Sequence, residues 1–275
     1  MLYDARRVDY GDVAIGFMYM FSVATLNMWN VNEPFQDRMR VIGRFVGDEA
    51  PDVFCLQEVP VFSGQPFFPP EFEEMGYNCT YLASGNFGSR AEGIAICTKP
   101  SSVLLGGILL SEGTDNRGRT ALAVGVRDNK DGLKALAVTT HFTNGDHEAP
   151  ARRTQASEIS RLISKIWSRF GQMPTVLTGD FNCTDDEDAV KLFVDSKTGP
   201  ALRDAQAEFG MTNCNTLDRR NIFAADHPRG DRRIDYILLS RDWVLADFRI
   251  IFNDVDNVQF ASDHFGLYAS GTSAR

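Results

Sequence analysis

Six short polar motifs stand at or just beyond stretches of the chain that have the apolar composition of β-strands. They are Asn27 in "ATLNMWN", Glu58 in "CLQEV", His141 and Asn144 in "THFTN", Asp180 and Asn182 in "GDFN", Asp235 in "RIDYIL", and Asp263 with His264 in "SDHFG". Carboxylate and amide oxygens are ligands that suit Mg²⁺ or Mn²⁺, imidazoles carry protons, and side-chain amides hold phosphate oxygens. The spacing of cysteines and histidines does not favour zinc. One such motif would be ordinary, but six complementary ones favour a single site around a hard cation.

The elements that must position these side chains alternate between strands and helices. Apolar runs typical of strands are "FSVATLN", "DVFCLQEV", "GIAICTK", "ALAVGVR", "LKALAVTTHF", "PTVLTGDFN", "RIDYILLS" and "HFGLYAS". Two longer segments, Phe35–Glu49 and Ala149–Phe170, have apolar residues every three to four positions, as amphipathic helices do. Segments rich in Gly, Pro, Asn and Asp, such as "ASGNFGSRAEG" and "NIFAADHPRGD", predict loops. The pattern predicts a mixed α/β domain with its unusual polar residues at strand ends, where α/β folds usually place their chemistry.

The charge of the chain limits the partners that it can attract from a distance. The 275 residues have a formal net charge of -9 and a pI near 5.0, with 43% apolar and 24% charged residues. This composition is that of a globular protein, and its acidity argues against a broad basic face for duplex nucleic acid. A phosphate-ester substrate stays compatible with the acidity, because divalent ions in a carboxylate cluster reverse the local field.

The N-terminal segment precedes the first predicted strand. Residues 1–19 are interpreted as an extension and residues 20–275 as one domain, which we expect to be a monomer. Arg6 and Arg7 precede an apolar run that resembles a signal peptide, although Asp9 and Asp12 interrupt it. That run is too short to span a membrane, so we expect no stable membrane insertion. Cytoplasmic localisation is the prediction, with secretion as the open alternative.

The five cysteines are scattered through the chain. Their odd number and the absence of a C-x-x-C pair predict free thiols in a reducing compartment: Cys55, Cys79, Cys97, Cys183 and Cys214.

The ordered set of polar motifs resembles the endonuclease/exonuclease/phosphatase superfamily. The resemblance spans roughly Met20 to Ala269, and the motifs follow the order of the family. It implies a four-layer α/β sandwich, in which two central mixed β-sheets pack face to face and helices flank them. It also implies a metal site between the sheets that binds Mg²⁺, with Mn²⁺ as a substitute.

The resemblance assigns roles to residues on both sides of the expected site. Glu58 corresponds to the principal metal ligand, with Asn27 beside it and Asp263 on the metal side. Asp180 corresponds to the carboxylate that orients and deprotonates the attacking water. Asn182 corresponds to a residue that holds the nucleophile or a phosphate oxygen. His264 corresponds to the residue that binds the scissile phosphate or accepts the proton of the water, and Asp235 to the partner that orients His264.

His141 makes the site resemble the histidine type of the family. Pancreatic deoxyribonuclease and bacterial sphingomyelinases have a histidine at this position, where it is expected to protonate the leaving oxygen, whereas abasic-site endonucleases have tyrosine. The resemblance also implies that Glu92, in "RAEGIAI", supports this histidine. Asn144, three residues beyond His141, matches a phosphate-contacting asparagine.

Several other polar residues have ordinary interpretations. Thr184 and Glu187 have the S/T-x-x-E spacing of a capping box at the start of a helix. Asn182 begins a formal glycosylation sequon, but a glycan there would block the expected pocket. His147 and His227 are predicted to be surface loop residues, and Arg119 and Arg153 to be ion-pair partners.

These motifs favour a metal-dependent phosphoesterase that hydrolyses a phosphodiester bond, with nucleic acid slightly preferred as substrate. A phospholipid or sphingomyelin phosphodiesterase and an inositol-phosphate or nucleotide phosphatase are the alternatives. A sphingomyelinase would normally show an apolar hairpin for membrane contact, and a nuclease a basic groove. The rival from another class is a non-catalytic interaction domain, which would be expected to have lost ligands that are present here.

Overall fold

The computed structural model describes residues 20–87, 90–114, 118–127, 132–195, 199–212, 214–254 and 259–273, so the extension at 1–19 lies outside it. The elements in chain order are β1 (Met20–Asn27), α1 (Phe35–Glu49), β2 (Val53–Phe62), β3 (Gln65–Pro66), α2 (Glu71–Glu74), β4 (Asn78–Phe87), β5 (Arg90–Thr98), β6 (Ser102–Leu109), β7 (Thr120–Arg127), β8 (Leu133–His141), α3 (Ala149–Phe170), β9 (Thr175–Asp180), α4 (Asp188–Val194), β10 (Leu202–Asp204), α5 (Ala205–Glu208), β11 (Asp235–Ser240), β12 (Trp243–Ile251) and β13 (Gly266–Ser273).

The strands form two mixed sheets. The first has the order β12-β13-β1-β2-β5-β4, with β3 paired to β2, and the second has the order β10-β11-β9-β8-β7-β6. The pairs β1–β2 and β8–β9 are parallel, and the other pairs are antiparallel. Each parallel pair is connected through a long helix, α1 in the first sheet and α3 in the second.

Three apolar layers hold the sheets and helices together. Val23 and Ile96 of the first sheet pack with Val124 and Val176 of the second in the central layer. The helix α1 packs on the outer face of the first sheet, and α3 packs on the outer face of the second. The predicted four-layer sandwich is therefore confirmed.

Helices α1 and α3 have the bounds that their apolar periodicity predicts. The prediction of a capping box formed by Thr184 and Glu187, in contrast, is wrong. Glu187 itself occupies the N-cap position of α4, and its carboxylate binds the buried guanidinium of Arg152 through two hydrogen bonds of 2.9 and 3.0 Å. The hydroxyl of Thr184 donates to Asp186 instead. No helix in the described part of the chain is long and apolar enough to cross a membrane.

The expectation of five free cysteines is wrong for one pair. Cys79 and Cys97 stand directly opposite each other on β4 and β5 and form a disulfide, whereas Cys55, Cys183 and Cys214 are free. Opposed positions of an antiparallel pair bring two Cβ atoms within bonding reach, and sequence spacing does not show that register. The cysteines therefore no longer support a reducing compartment, and the cytoplasmic localisation stays a prediction.

Candidate active site

Asp180 ends β9 at the centre of the second sheet. The register places His141 of β8 beside it on one side and Asp235 of β11 on the other. Gly179 precedes it with a φ of +136°, and a Cβ atom there would lie 2.0 Å from the carbonyl oxygen of Thr140. Only glycine therefore fits this position of the "GDFN" motif.

The facing side of the site comes from β1 and β2 of the first sheet. Glu58 lies where the register between β2 and β5 shifts, between Leu56 and Val59, and its φ is +50°. Such bulges turn a side chain away from the alternation of the strand and are frequent beside active sites. Trp29, Asn30 and Asn182 also have left-handed backbones, with φ of 58°, 45° and 52°. Such costly backbone conformations cluster at functional sites, so their concentration here makes this region the candidate site.

Asn27 joins the two sheets at this point. Its Nδ2 donates to Oε1 of Glu58 at 3.2 Å and to Oδ2 of Asp180 at 3.1 Å, while its Oδ1 accepts from the backbone N–H of Trp29. The amide thus fixes the separation of two carboxylates that would otherwise repel each other.

His264 lies between two carboxylates of the second sheet. Its Nδ1 is 2.8 Å from Oδ2 of Asp235, and its Nε2 is 3.9 Å from Oδ2 of Asp180. Burial alone would lower the pKa of His264, but the charges of Asp235 and Asp263 outweigh it and raise the pKa well above its usual value. His264 is therefore favoured in its protonated form.

Asp180 is the most connected carboxylate of the site. Its Oδ1 accepts from the backbone N–H of Asn182 at 2.8 Å, and its Oδ2 is 3.4 Å from Nε2 of His141. Burial and the charge of Asp235 raise the pKa of Asp180 to about 7. A carboxylate with such a pKa can accept a proton near neutral pH.

The donor set fits a divalent cation on the first-sheet side. Burial and the charge of Asp263 raise the pKa of Glu58, and burial raises the pKa of Asp263. Both shifts mean that two carboxylates share a desolvated region in which a cation would relieve their repulsion. Glu58 and Asp263 offer the oxygens that Mg²⁺ prefers. Asn27, predicted to lie beside Glu58 at the metal, directs its Nδ2 at Glu58 and its Oδ1 at the backbone N–H of Trp29.

Asp180, Asp235 and His264 form a second group, whose ligand atoms lie within 4.8 Å of one another. Both ring nitrogens of His264 face carboxylates in this group, so it has the geometry of a proton-transfer chain. Mg²⁺ prefers an all-oxygen environment, which the carboxylates of the first-sheet side offer and this group with its imidazole does not.

Asn182 is buried behind Asp180. Its Nδ2 donates to the carbonyl of Phe142 at 3.0 Å, and the residue is only 5% exposed. Little of the Asn182 side chain is therefore accessible to a glycan.

Arg38 of α1 holds the loop on the first-sheet side. Its five N–H donors bond the carbonyl oxygens of Asn32, Met28, Asn30 and Ala261 at 2.6 to 3.1 Å. Burial lowers its pKa to about 10, so it stays charged at neutral pH. Ala261 lies two residues before Asp263. Arg38 therefore connects the loop that follows β1 to the segment that carries Asp263.

A cavity of about 300 Å³ opens onto these residues. Eight of the predicted site residues line it, and Asn27 and Asp235 lie behind them in hydrogen-bond contact with members of that lining: Glu58, Glu92, His141, Asn144, Asp180, Asn182, Asp263 and His264. The structure thus brings all ten together, and their individual roles stay predictions. Glu92 accepts from Nδ2 of Asn30 at 2.8 Å, and Asn144 accepts from Arg229.

Sequence analysis missed several residues of the lining. His227 lies in a loop, as predicted, but it is half-buried and lines the cavity, whereas His147 is exposed as predicted. Arg119 is 1% exposed and also lines the cavity, as do the following residues: Trp29, Asn30, Asn32, Leu217, Arg229, Arg232 and Ile234. The left-handed turn at Trp29 and Asn30 has only a weak sequence signal, because asparagine favours this conformation and tryptophan does not.

Comparisons with known proteins agree on one relationship. A family model described as "Endonuclease/Exonuclease/phosphatase family" matches residues 24–264. A comparison with curated proteins finds no match.

Solved structures with the same fold cover nearly the whole chain. The catalytic domain of human Nocturnin, solved with a bound sulfate anion, is 17% identical, with a TM-score of 0.73 over 93% of this chain and 94% of that one. Truncated TDP2 from Caenorhabditis elegans is 20% identical, with a TM-score of 0.71 over 93% and 98%. A protein of the same family from Bacteroides vulgatus is 22% identical, with a TM-score of 0.68 over 93% and 99%.

Proposed function

The chain belongs to the endonuclease/exonuclease/phosphatase family, and we propose that it is a metal-dependent phosphoesterase that hydrolyses a phosphodiester bond. Mg²⁺ is the proposed cation, with Mn²⁺ as a substitute. The observation that carries the proposal is the bridge of Asn27 between Glu58 and Asp180. This bridge places the oxygen donors of the first sheet opposite the proton-transfer residues of the second sheet, beside one cavity.

The residues of the second sheet prepare the attacking water. Asp180 can take a proton from water near neutral pH, since its pKa is raised to about 7. Asp235 fixes the ring of His264 through the 2.8 Å contact at Nδ1, which directs Nε2 toward Asp180 and the cavity. The protonated imidazole there suits a non-bridging phosphate oxygen.

The remaining groups act on the leaving side and on the phosphate. His141, whose Nε2 faces Asp180, would return a proton to the leaving oxygen. Asn144 at the cavity rim would hold a phosphate oxygen. Glu58 and Asp263 would hold the cation, which would supply positive charge to stabilise the phosphoryl oxygens. The chain itself forms no covalent bond in this scheme.

A small phosphate ester is the second candidate substrate. The cavity of about 300 Å³ lies at the lower end of volumes that enclose small ligands. The net charge of -9 also weakens long-range attraction of a polyanion. A short oligonucleotide or another small diester therefore fits better than a duplex.

Hydrolysis of bis-p-nitrophenyl phosphate with Mg²⁺, with Mn²⁺ and with EDTA tests the proposal. We expect cation-dependent release of p-nitrophenol, and slower release from p-nitrophenyl phosphate, a monoester. His264→Ala and Asp180→Asn should each lower kcat by at least about 100-fold. His147→Ala, which removes an exposed histidine, is the matched control and should retain activity.

Activity that survives EDTA would contradict the metal dependence. Absence of hydrolysis by folded protein with each cation would favour the non-catalytic alternative. A strong preference for the monoester would replace the diesterase by a phosphatase.

A further inference from the structure

Arg232 brings a positive charge to the lining of the cavity. Arg229, which also lines it, pairs with Asp146 at 3.0 Å, and Arg119 acts electrostatically on the carboxylate of Glu58. Arg232 is half-buried, and among the residues that the structure describes no carboxylate lies within ion-pair distance of its guanidinium. Its charge reaches Asp186 only at longer range. A partly desolvated arginine without a partner gains most from an anionic ligand.

The backbone of Arg232 is fixed relative to His264. Arg232 and Leu217 exchange two backbone hydrogen bonds of 2.8 and 2.9 Å, and Leu217 also forms an antiparallel bridge with His264. Directly opposed residues in a sheet point to the same side, so Arg232 and His264 flank Leu217 on one face. All three line the cavity. The backbones of Arg232 and His264 are therefore two strand spacings, about 10 Å, apart.

We propose that Arg232 binds a second anionic group of the substrate, distinct from the phosphate that is cleaved. The proposal rests on the proposed phosphodiesterase function, in which His264 contacts the scissile phosphate. Because the backbone of Arg232 lies about 10 Å from that of His264 and both side chains are on the same face, the guanidinium can reach an anion attached next to that phosphate. Its planar set of donors suits the oxygens of a phosphate group. The substrate class is therefore a phosphodiester that carries a further phosphate.

Three dinucleotides that differ by one phosphate test this assignment. They are dTpdT, its 5′-phosphorylated form pdTpdT and its 3′-phosphorylated form dTpdTp, each with one internal diester. We expect the wild-type protein with Mg²⁺ to prefer one phosphorylated form over dTpdT by about 10- to 100-fold in kcat/KM, mainly through KM. The preferred form shows on which side of the scissile bond the second anion binds.

Arg232→Gln should reduce that preference ratio by about the same factor, and Arg232→Lys should retain part of it. Arg219→Gln is the matched control, because Arg219 belongs to the same loop, is exposed and pairs with Asp231 outside the cavity. Equal preference of the wild-type protein for all three dinucleotides would overturn the assignment. So would a loss of preference in Arg219→Gln as large as in Arg232→Gln.

A binding measurement separates this proposal from the catalytic one. Calorimetric titration of Asp180→Asn and of the double variant Asp180→Asn/Arg232→Gln with the three dinucleotides requires no turnover. We expect tighter binding of one phosphorylated form by the single variant only, by about 10- to 100-fold. If the wild-type protein cleaves no diester but this difference appears, the proposed reaction fails and the anion site stands. Equal binding by both variants would overturn the anion site.

Discussion

The side-chain amide of Asn27 donates to Asp180 across the two sheets at 3.1 Å, and the same nitrogen donates to Glu58 at 3.2 Å. One neutral group therefore separates the carboxylate of the oxygen-donor side from the carboxylate of the proton-transfer side. A charged side chain at position 27 would therefore change the electrostatic environment of both carboxylates.

Asn27→Asp should make the folded state depend on a divalent cation. The substitution keeps the shape of the side chain but brings a third carboxylate beside Glu58 and Asp180, and like charges in a buried region are unfavourable. Without cation, we expect a lower Tm than in the wild-type protein. Saturating Mg²⁺ should raise the Tm of the variant by more than that of the wild type. Differential scanning calorimetry with EDTA and with Mg²⁺ measures both, and an equal response of the two proteins would contradict the cation site.

Asp235→Asn should lower the pKa of His264. The pair is 2.8 Å apart, and the charge of Asp235 is the main influence that raises this pKa against burial. NMR titration of the imidazole should show His264 losing its proton at lower pH in the variant. Asp231→Asn, which removes an exposed carboxylate from the same segment, is the control. An unchanged titration of His264 in Asp235→Asn would show that Asp235 does not set its protonation.

The strands that sequence reasoning found are those in the interior of the sheets. Runs such as "ALAVGVR" and "DYILLS" are buried at nearly every position, so their apolar residues are continuous. The strands that it missed are the two-residue strand β3 and the strands that end the order of each sheet, β4, β6, β10 and β12. Most positions in β6 and β12 are exposed or partly buried, and few are fully buried. Their amino-acid composition therefore resembles that of a loop. The predicted loop "ASGNFGSRAEG" is wrong where β4 ends and β5 begins, because the two strands pair as far as Phe87 and Arg90 through Gly, Ser and Asn residues that are frequent in loops.

The site was predictable where a motif follows a buried strand, as at Asp180 and His141. Arg38 was not, because a helical arginine is usually solvated. A signal was nevertheless present, since Arg38 lies three residues after Phe35 and four before Ile42, on the apolar stripe of α1. Arg232 and His227 approach the cavity through loop geometry that only the three-dimensional structure provides.

In the absence of a cation, the stability of Asp180→Asn relative to the wild type should increase as the pH rises. The pKa of Asp180 is about 7 in the folded protein, against 3.8 for an unburied aspartate, so deprotonation destabilises the folded state between these values. The stability difference should grow from pH 4 to pH 7 by up to about 4 kcal/mol and then level off. Urea unfolding across this range in EDTA measures it. Asp195→Asn, which changes an exposed carboxylate outside the cavity, is measured as the control.

Mg²⁺ should reduce this dependence, because a cation favours the charged carboxylate. A flat difference between Asp180→Asn and the wild type in EDTA would contradict the raised pKa.

The protein should contain three titratable thiols until it is reduced. Cys79 and Cys97 are bonded, and of the free thiols only Cys214 is partly exposed. Burial raises the pKa of Cys55 to about 12 and also raises that of Cys183, so both should be unreactive in the folded protein. Ellman's reagent should detect one thiol in native protein, three in unfolded protein, and five after reduction. Cys214→Ser should abolish the native signal, and five thiols in unreduced, unfolded protein would contradict the disulfide.

Arg38→Lys should destabilise the protein although it keeps the positive charge. A lysine ammonium has three donors and cannot replace the planar set that bonds the carbonyls of Met28, Asn32 and Ala261. Leaving buried carbonyls without a donor should cost about 3 kcal/mol or more in the free energy of unfolding. Arg40→Lys, at an exposed arginine on the same helix, should change it by less than about 0.5 kcal/mol. Urea unfolding of both variants makes the comparison, and similar values for the two would show that Arg38 does not hold the loop.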